Sequence, residues 1–363
     1  MFEIDFFSLS QSAIIQMAWQ RLATDLADWE REIWNFVTNW FDTEIKSVSV
    51  FTSGSTGTPK EILHTKDAML SSARATCNAL NLRAGNRVVL CLPVNKISGM
   101  MMVVRCIDCK MKMVCIKPST KPLSELAEDL KIDFAAFTPM QFYEITENYA
   151  VFKKADRIDK IILGGEHVNS YLLQYIQRLA SSVYITFGMT ETISHVALKK
   201  LNGPTPDLHF KSLPGITLET DSRGCLVIKA PQLNRPYLIT NDLVELTNNN
   251  EFSWLGRFDN VINSGGIKIY PEELEKRLAE LMDVPFFIGS IPDAISGEKV
   301  VLVLERTELH LSEQQLLKNK LEVLERHQRP KDVLLTSKLS RTANGKIKRK
   351  ESLQNVNETI PLI

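Results

Sequence analysis

Blocks of apolar and polar residues alternate along the chain in a pattern that predicts an α/β protein. Through its first half, segments with apolar positions three or four apart, typical of helices, are separated by short apolar runs typical of buried strands. The predicted helices cover residues 66–80, 98–110, 121–130, 139–149 and 168–180, and the predicted strands cover residues 87–92, 112–116, 134–137, 159–163 and 183–187. This alternation predicts a largely parallel sheet, and ligands gather at the carboxyl edge of such a sheet.

The pattern differs on either side of this block. Ser10 to about Phe41 shows helical periodicity and holds four of the five tryptophans, which predicts a helical cap within residues 1–45. After about Leu201, short strand-like runs are separated by Pro, Gly and Asn, which predicts a small antiparallel β subdomain. The last section is predicted to contain helices at 271–282 and 312–326 and strands near 286–291 and 299–304.

Length and pattern together predict two domains. A chain of 363 residues is long for one hydrophobic core, and the part after Asp259 suffices for a small independent domain. We predict an α/β fold with a large N-terminal domain, 1–258, of layered parallel-rich sheets plus the small antiparallel β subdomain. A smaller, mobile α+β C-terminal domain, 259–363, follows it.

Composition excludes several classes of protein. Acidic and basic side chains balance at 43 each, so no nucleic-acid partner is expected. The chain opens with the acidic sequence Met1-Phe-Glu-Ile-Asp5 and has no apolar run near the roughly 18 residues of a membrane span, so we expect a cytoplasmic protein without membrane insertion. The six cysteines lie mostly in apolar stretches typical of buried, reduced thiols, and a redox or zinc role for Cys106 and Cys109 is the less favoured alternative.

The run Phe51-Thr-Ser-Gly-Ser-Thr-Gly-Thr-Pro-Lys60 has the composition of a loop that binds polyphosphate. Gly54 and Gly57 can adopt positive φ and turn backbone N–H groups inward, and Lys60 adds a positive charge. Hydroxyl donors come from Thr52, Ser53, Ser55 and Thr56. The spacing is not that of a Walker A loop, because Pro59 stands where that motif has its second glycine. A flexible linker between a strand and a helix is the alternative.

Three further clusters carry chemistry suited to a nucleotide. Phe187-Gly-Met-Thr-Glu191 follows a predicted strand, so Glu191 can bind Mg²⁺ together with substrate phosphate oxygens; a helix N-terminal cap is the alternative. Asp242 can accept hydrogen bonds from ribose hydroxyls, although a turn aspartate would explain it as well. Arg257 can donate to ribose or phosphate, and Gly265-Gly266 permits close approach of the backbone to a ligand.

A basic segment, Leu339-Ser-Arg-Thr-Ala-Asn-Gly-Lys346, completes the series. A basic segment of this kind is ordinarily a solvated tail. Because the other motifs predict a nucleotide site, we favour the alternative that Lys346 is a mobile lysine that contacts the charge developing on a phosphate. Taken in order, the motifs at 52–60, 187–191, 242, 256–266 and 342–346 resemble the core motifs of the adenylate-forming (AMP-binding) superfamily. That superfamily comprises acyl- and aryl-CoA synthetases, carrier-loading adenylation domains and firefly luciferase.

Within the superfamily the chain is most similar to the o-succinylbenzoate–CoA ligases of menaquinone biosynthesis. The similarity includes Leu92–Gly99 and Phe137–Gln141 as well as the Gly-Arg-Phe-Asp-Asn run at 256–260. Typical members have a much longer region before the phosphate loop, so the resemblance implies a reduced N-terminal region. Lys96 stands where the family usually has histidine, Ser340 replaces the usual proline, and Phe187 replaces the usual tyrosine.

The resemblance implies an ATP-dependent acid–thiol ligase that uses Mg²⁺ and forms an acyl-adenylate before the coenzyme A thiol attacks. It assigns catalysis to Lys346, Glu191 and Lys60, with Glu191 as the metal ligand, and it makes Asp259 the hinge of a domain rotation. The coenzyme A face is Gly265-Gly266. The residues it assigns to the nucleotide are Thr52, Ser53, Gly54, Ser55, Thr56, Gly57, Lys60, Gly164, Gly165, Glu166, Phe187, Gly188, Met189, Thr190, Asp242 and Arg257.

The acyl pocket is expected near Met140, with Lys96 or His195 pairing a second carboxylate of the acid. A satisfied core histidine and a solvated loop lysine are the alternatives. Other functions also stay open at this point: an adenylation enzyme that loads a carrier protein, an aryl-CoA ligase for a simple benzoate, and a truncated, non-catalytic nucleotide-binding protein.

Overall fold

A computed structural model describes residues 1–51, 60–166, 168–230, 235–341 and 347–362. The helices are α1 (Gln11–Leu22), α2 (Asp28–Phe41), α3 (Lys66–Ala79), α4 (Ile97–Asp108), α5 (Pro139–Thr146), α6 (Tyr149–Ala155), α7 (Ser170–Ile176), α8 (Pro271–Leu278), α9 (Leu311–Leu321) and α10 (Arg349–Gln354). The strands are β1 (Phe2–Asp5), β2 (Ser47–Phe51), β3 (Glu61–Thr65), β4 (Arg87–Leu90), β5 (Lys112–Cys115), β6 (Ile132–Phe137), β7 (Ile158–Leu163), β8 (Ser182–Gly188), β9 (His195–Lys200), β10 (Phe210–Ser212), β11 (Thr217–Thr220), β12 (Cys225–Ala230), β13 (Arg235–Asn248), β14 (Glu251–Arg257), β15 (Ile262–Ser264), β16 (Ile267–Ile269), β17 (Phe286–Asp293), β18 (Gly297–Glu305), β19 (Asp332–Thr336) and β20 (Glu358–Pro361).

A 12-stranded sheet in the order β1-β5-β4-β6-β7-β8-β9-β10-β14-β13-β12-β11 organises the first part of the chain. Its central strands β5, β4, β6, β7 and β8 are parallel, as the sequence predicts. Successive residues of these strands face opposite sides, so Val88 packs with α3 and α4 while Val89 packs with α5 and α7. Both faces are covered, which is why these strands are mainly apolar, with their charged residues towards the amino ends.

The strands after β8 correct one prediction. Strands β9 to β14 are antiparallel, as expected, but β9 pairs with β8 and carries the same sheet onward to β11. The predicted small β subdomain is therefore a continuation of the main sheet. The first strand was not predicted either: β1 lies inside the expected cap region and pairs antiparallel with β5 at the sheet edge.

The helical cap consists of α1 and α2, and α2 packs through a face that includes the fully buried Trp34. The Lys66 ammonium, at the start of α3, donates to the carbonyls of Asn39, Trp40 and Asp42 at 2.8, 2.7 and 2.8 Å. Those carbonyls stand at the end of α2, where helix carbonyls lack partners within the helix. These bonds hold the end of the cap against the start of α3, which follows β3.

Two local predictions were wrong. Residues 121–130 form turns rather than a helix, although Leu123 and Leu126 are buried at the three-residue spacing that suggested one. Cys77 and Cys109 form a disulfide that joins α3 to the end of α4, whereas Cys91, Cys106, Cys115 and Cys225 are free and buried, as expected. The two paired cysteines are 32 residues apart and meet only because α3 packs on α4.

A separate 6-stranded sheet contains β15 to β20, in the order β16-β15-β18-β19-β20, and β17 also pairs with β18, off this path. Its own hydrophobic cluster joins Leu274 of α8 and Leu317 of α9 to strand residues such as Leu302. The predicted domain boundary near Asp259 falls between the last strand of the large sheet and the first strand of this one. Among the described residues, no helix is long and apolar enough to cross a membrane.

Candidate active site

The sheet order gathers one group of the predicted site residues at a single edge. Lys96 caps α4 after β4, Met140 lies in the first turn of α5 after β6, and Gly164 to Glu166 follow β7. Phe187 and Gly188 end β8, and Met189, Thr190 and Glu191 follow. Because β4, β6, β7 and β8 are adjacent and parallel, all these residues lie at the carboxyl edge of the sheet.

Glycines in this edge stand where a side chain cannot fit. A Cβ on Gly164 would lie 2.6 Å from Thr186 Oγ1, and a Cβ on Gly188 would lie 2.5 Å from both the Ser194 carbonyl oxygen and His195 Cα. Gly165 has φ +94°, with open space where its Cβ would be. The edge therefore combines close backbone packing with an open glycine position, which suits the approach of a ligand to the main chain.

The connection from Glu191 to β9 is strained. Glu191 lies partly exposed in a short 3₁₀ turn, Thr190–Thr192. Ile193 follows with φ 69° and ψ −51°, and Ser194 N donates to the Thr192 carbonyl at 2.8 Å. This is a γ-turn of the rare positive-φ form, which is costly for a β-branched residue. Strain of this kind is concentrated at functional sites, where the surrounding packing holds it in place.

A buried arginine, Arg105, lies against this connection. It is 2% exposed in the middle of α4, and its guanidinium donates to Ser194 Oγ at 2.5 Å and contacts Met102 Sδ at 3.5 Å. Its Nε has no hydrogen-bond partner, and no described acidic side chain forms a salt bridge with it. Burial lowers the pKa of Arg105 to about 10, so the side chain remains a cation at neutral pH.

Sequence reasoning missed Arg105. The signal was available, because it is the one charged residue in the run Met100-Met-Met-Val-Val-Arg-Cys106. A cation at the centre of an apolar helix needs an anionic partner or a set of acceptors. The described residues supply only part of such a set, so the guanidinium is a candidate group for binding a carboxylate from outside the protein.

His195 and Lys96, the two predicted carboxylate partners, differ in their surroundings. His195 is 6% exposed, and its ring nitrogens bond Thr76 Oγ1 at 3.1 Å and Ser194 Oγ at 3.3 Å. Burial, with the Arg105 charge as the second cause, holds the pKa of His195 well below its usual range. The ring is therefore neutral, and the structure favours the satisfied core histidine over a charged partner. Lys96 is exposed.

The predicted ribose and phosphate residues Asp242 and Arg257 meet across two antiparallel strands. They are register partners of β13 and β14, and their side chains form an ion pair at 3.4 Å. Asp242 also accepts from Trp254 Nε1 at 3.0 Å. Arg257 reaches Asp259 at 3.6 Å, so the predicted nucleotide residues contact the predicted hinge directly.

Several predicted site residues lie outside the described part of the chain: Thr52, Ser53, Gly54, Ser55, Thr56, Gly57 and Lys346. Lys60 is described and exposed, just before β3. The flanking strands β2 and β3 pair antiparallel, from Ser47 with Thr65 to Phe51 with Glu61. The predicted phosphate loop thus connects two strands of a hairpin, and the helix predicted at 66–80 begins at Lys66, after the second of these strands. Gly265 and Gly266 are exposed, with φ +60° and +80°.

The residues at the carboxyl edge fit Mg²⁺ bound with a nucleotide better than a metal held by protein alone. No group of three or more His, Cys, Asp or Glu side chains in the described ranges could hold an ion. A partly exposed carboxylate such as Glu191 is sufficient for Mg²⁺, because that ion typically takes one or two carboxylates and completes its shell with phosphate oxygens and water.

Comparison with known proteins agrees with this geometry. The AMP-binding enzyme family model matches residues 14–233. The 2-succinylbenzoate–CoA ligase of Lactococcus lactis is 26% identical over 329 residues, which cover 86% of this chain and 71% of that protein. In two other relatives of that name, from Haemophilus influenzae and Bacillus cereus, the match covers 51% and 73% of the relative's length.

Two solved structures share the fold. An acyl-CoA synthetase (AMP-forming)/AMP-acid ligase II-like protein from Dyadobacter fermentans is 35% identical, with a TM-score of 0.65 over 95% of this chain and 98% of that one. The o-succinylbenzoate CoA synthetase of Bacillus subtilis, in complex with its acyl-adenylate intermediate, is 22% identical with a TM-score of 0.69 over 85% of this chain and 69% of that one. The family model covers more than half of the sequence, and the chain therefore belongs to the AMP-binding enzyme family.

Proposed function

We propose that the protein is an AMP-forming acid–thiol ligase that converts 2-succinylbenzoate, ATP and coenzyme A into 2-succinylbenzoyl-CoA, AMP and diphosphate. The observation that carries the choice of acid is Arg105, a buried cation beside the Glu191 connection that forms no salt bridge within the described part of the chain. 2-Succinylbenzoate has two carboxylates. One can react while the other neutralises the guanidinium, and a simple benzoate would leave the cation unpaired.

In the first half-reaction the acid carboxylate attacks the α-phosphorus of ATP, the bond to the β-phosphate oxygen breaks, and diphosphate leaves. The chain's contribution is largely positioning and charge. Glu191 would hold Mg²⁺, which neutralises charge on the phosphate oxygens. Residues 52–60 would bind the triphosphate, Asp242 and Arg257 the ribose side, and Lys346 the charge that develops on the transferred group.

In the second half-reaction the coenzyme A sulfur attacks the acyl carbon, the thiol loses its proton, and AMP leaves. We propose that the C-terminal domain rotates about Asp259 between the two steps, which withdraws Lys346 and brings the Gly265-Gly266 face to the site. Without this rotation, one orientation of the C-terminal domain would have to place both Lys346 and the coenzyme A thiol next to the same reacting carbon and phosphorus atoms.

The function is tested by acid-dependent diphosphate release. The acids are 2-succinylbenzoate, benzoate and a short aliphatic acid, each with Mg²⁺ and ATP, followed by addition of free coenzyme A or of a phosphopantetheinylated carrier protein. We expect release with 2-succinylbenzoate at a kcat/KM at least about 30-fold above benzoate, which corresponds to roughly 2 kcal/mol from one carboxylate–guanidinium contact. Preference for benzoate would identify an aryl-CoA ligase. Transfer only to the carrier would identify a loading enzyme, and no adenylate with any acid would identify a binding protein.

A further inference from the structure

Glu272 of helix α8 contacts the segment that connects the two sheets. Glu272 lies in the first turn of α8 and its side chain is 11% exposed. Its Oε1 accepts a hydrogen bond of 2.5 Å from Asn260 Nδ2, and Asn260 belongs to the short 3₁₀ turn that contains Asp259. One carboxylate oxygen thus joins α8 to the turn that contains the predicted hinge residue Asp259.

The second oxygen of the same carboxylate is held against the last strand of the large sheet. Glu272 Oε2 is buried without a hydrogen-bond partner among the described residues. It lies where a side chain on Gly256 would begin, 2.5 Å from the position of that Cβ. A buried carboxylate oxygen without a donor costs free energy, so the arrangement is retained at the expense of stability. Because breaking this contact would recover that free energy, the contact suits an interface between domains that opens during the reaction.

Glu272 also faces the segment that follows Lys346. Arg349, at the start of α10, lies 3.6 Å from Glu272 Oε1 and donates to both oxygens of Glu275 and to the Ile288 carbonyl. Its guanidinium stacks over the Phe287 ring at 5.4 Å. Arg349 is thereby fixed to the body of the C-terminal sheet, and Glu272 is the point where this fixed group meets the hinge.

We propose that Glu272 is a positioning residue that latches the C-terminal domain in the orientation seen here, through Asn260 and against Gly256, and that this latch opens between the two half-reactions. The inference rests on the proposed function for its two steps, and it adds the contact that sets the balance between them. Opening the latch exchanges the Asn260–Glu272 hydrogen bond for bonds to water and releases the buried oxygen.

The test uses the full-length protein and graded variants of the hinge side of the latch. Asn260→Ala removes the donor, and Asn260→Asp places a second carboxylate against Glu272. Gly256→Ala forces the Glu272 carboxylate away by steric contact and is an independent route to the same opening. Asn319→Ala is the matched control, because that side chain forms only an exposed bond with Gln315 within α9.

Each half-reaction is measured alone, as single-turnover diphosphate release and as thioester formation from preformed acyl-adenylate. A hydrogen bond to a charged group supports a change of about 10-fold in an orientation equilibrium. We expect the ratio of the two rates to change by about 10-fold in Asn260→Ala and further in Asn260→Asp. Gly256→Ala should change it in the same direction and Asn319→Ala should leave it unchanged. Ratios within twofold of wild type in all three latch variants would overturn the proposal, because a merely structural contact would lower both rates together.

A second readout does not depend on turnover. Spin labels on Leu208→Cys and Ile295→Cys, which are 80% and 97% exposed at the native positions, report the distance between the two sheets. We expect the distance distribution to shift or broaden in the Asn260 variants and to stay unchanged in the control. An unchanged distribution overturns the latch even if the protein proves to be active. A shifted distribution in a protein that forms no adenylate supports the latch and refutes the proposed reaction.

Discussion

Replacing Arg105 by methionine should raise the stability of the unliganded protein and lower its activity on a dicarboxylic acid. The charged form of Arg105 is destabilised by burial, which lowers the pKa of this side chain from 12.5 to about 10. At 1.36 kcal/mol per pKa unit, a protonated Arg105 costs the folded state roughly 3 kcal/mol. Methionine removes the charge and fits the methionine-rich surroundings of α4, at the loss of the hydrogen bond to Ser194, which is worth about 1.5 kcal/mol or more because its donor is charged. The unliganded Arg105→Met protein should therefore unfold at a higher temperature than wild type by about 1–3 °C.

The same substitution should damage the reaction. Removing one partner of a buried carboxylate–guanidinium pair costs about 2 kcal/mol or more, which is at least about 30-fold in kcat/KM for 2-succinylbenzoate. Benzoate has no second carboxylate, so its kcat/KM should stay within threefold of wild type. The assays are diphosphate release with both acids and thermal unfolding without ligand.

Arg74→Met is the matched control. Arg74 lies on α3 with its side chain 60% exposed and pairs with Asp108 at 2.8 Å. An exposed ion pair is worth at most about 1 kcal/mol of stability, so the kcat/KM values for 2-succinylbenzoate and benzoate should both stay at their wild-type levels. An equal loss for both acids in Arg105→Met would show that Arg105 only supports the fold. A lower unfolding temperature would refute the burial argument.

The remaining predictions concern the catalytic lysine, a glycine and a histidine. Lys346→Ala should lower single-turnover adenylation by at least about 100-fold while thioester formation from preformed acyl-adenylate stays within a few-fold of wild type; equal losses would contradict domain alternation. Gly188→Ala should lower the free energy of unfolding in denaturant by about 1–3 kcal/mol and reduce adenylation, because its Cβ would lie 2.5 Å from the backbone of Ser194 and His195. Unchanged values would show that the backbone of this connection can move to make room for the methyl group. His195 should make wild-type stability fall as pH drops below its unfolded value of about 6.5, since only the unfolded chain takes up the proton; His195→Gln should flatten urea midpoints between pH 7 and 5, and an unchanged slope would place the titration elsewhere.

Hydrophobic spacing along the sequence predicted the helices and strands whose buried faces follow the regular period of the element. The central strands are mainly apolar because both faces are covered, and the predicted bounds of α3 and α4 agree with the structure within a residue or two. The same rule failed at residues 121–130, where Leu123 and Leu126 are buried by turns, because spacing reports which side chains are buried and not the backbone that buries them.

The sequence by itself determined the family, the parallel core and the residues that its motifs contain, because motif order and hydrophobic period are properties of neighbours along the chain. The tertiary structure alone decided which distant residues share a site. It set Arg105 of α4 against Ser194, paired β1 with β5, and brought Glu272 to Asn260. Burial in the folded chain also lowers the pKa of His195, which favours a neutral ring over a charged partner. A side chain's charge state and partners depend on burial and on elements far away in sequence, and only packing specifies these.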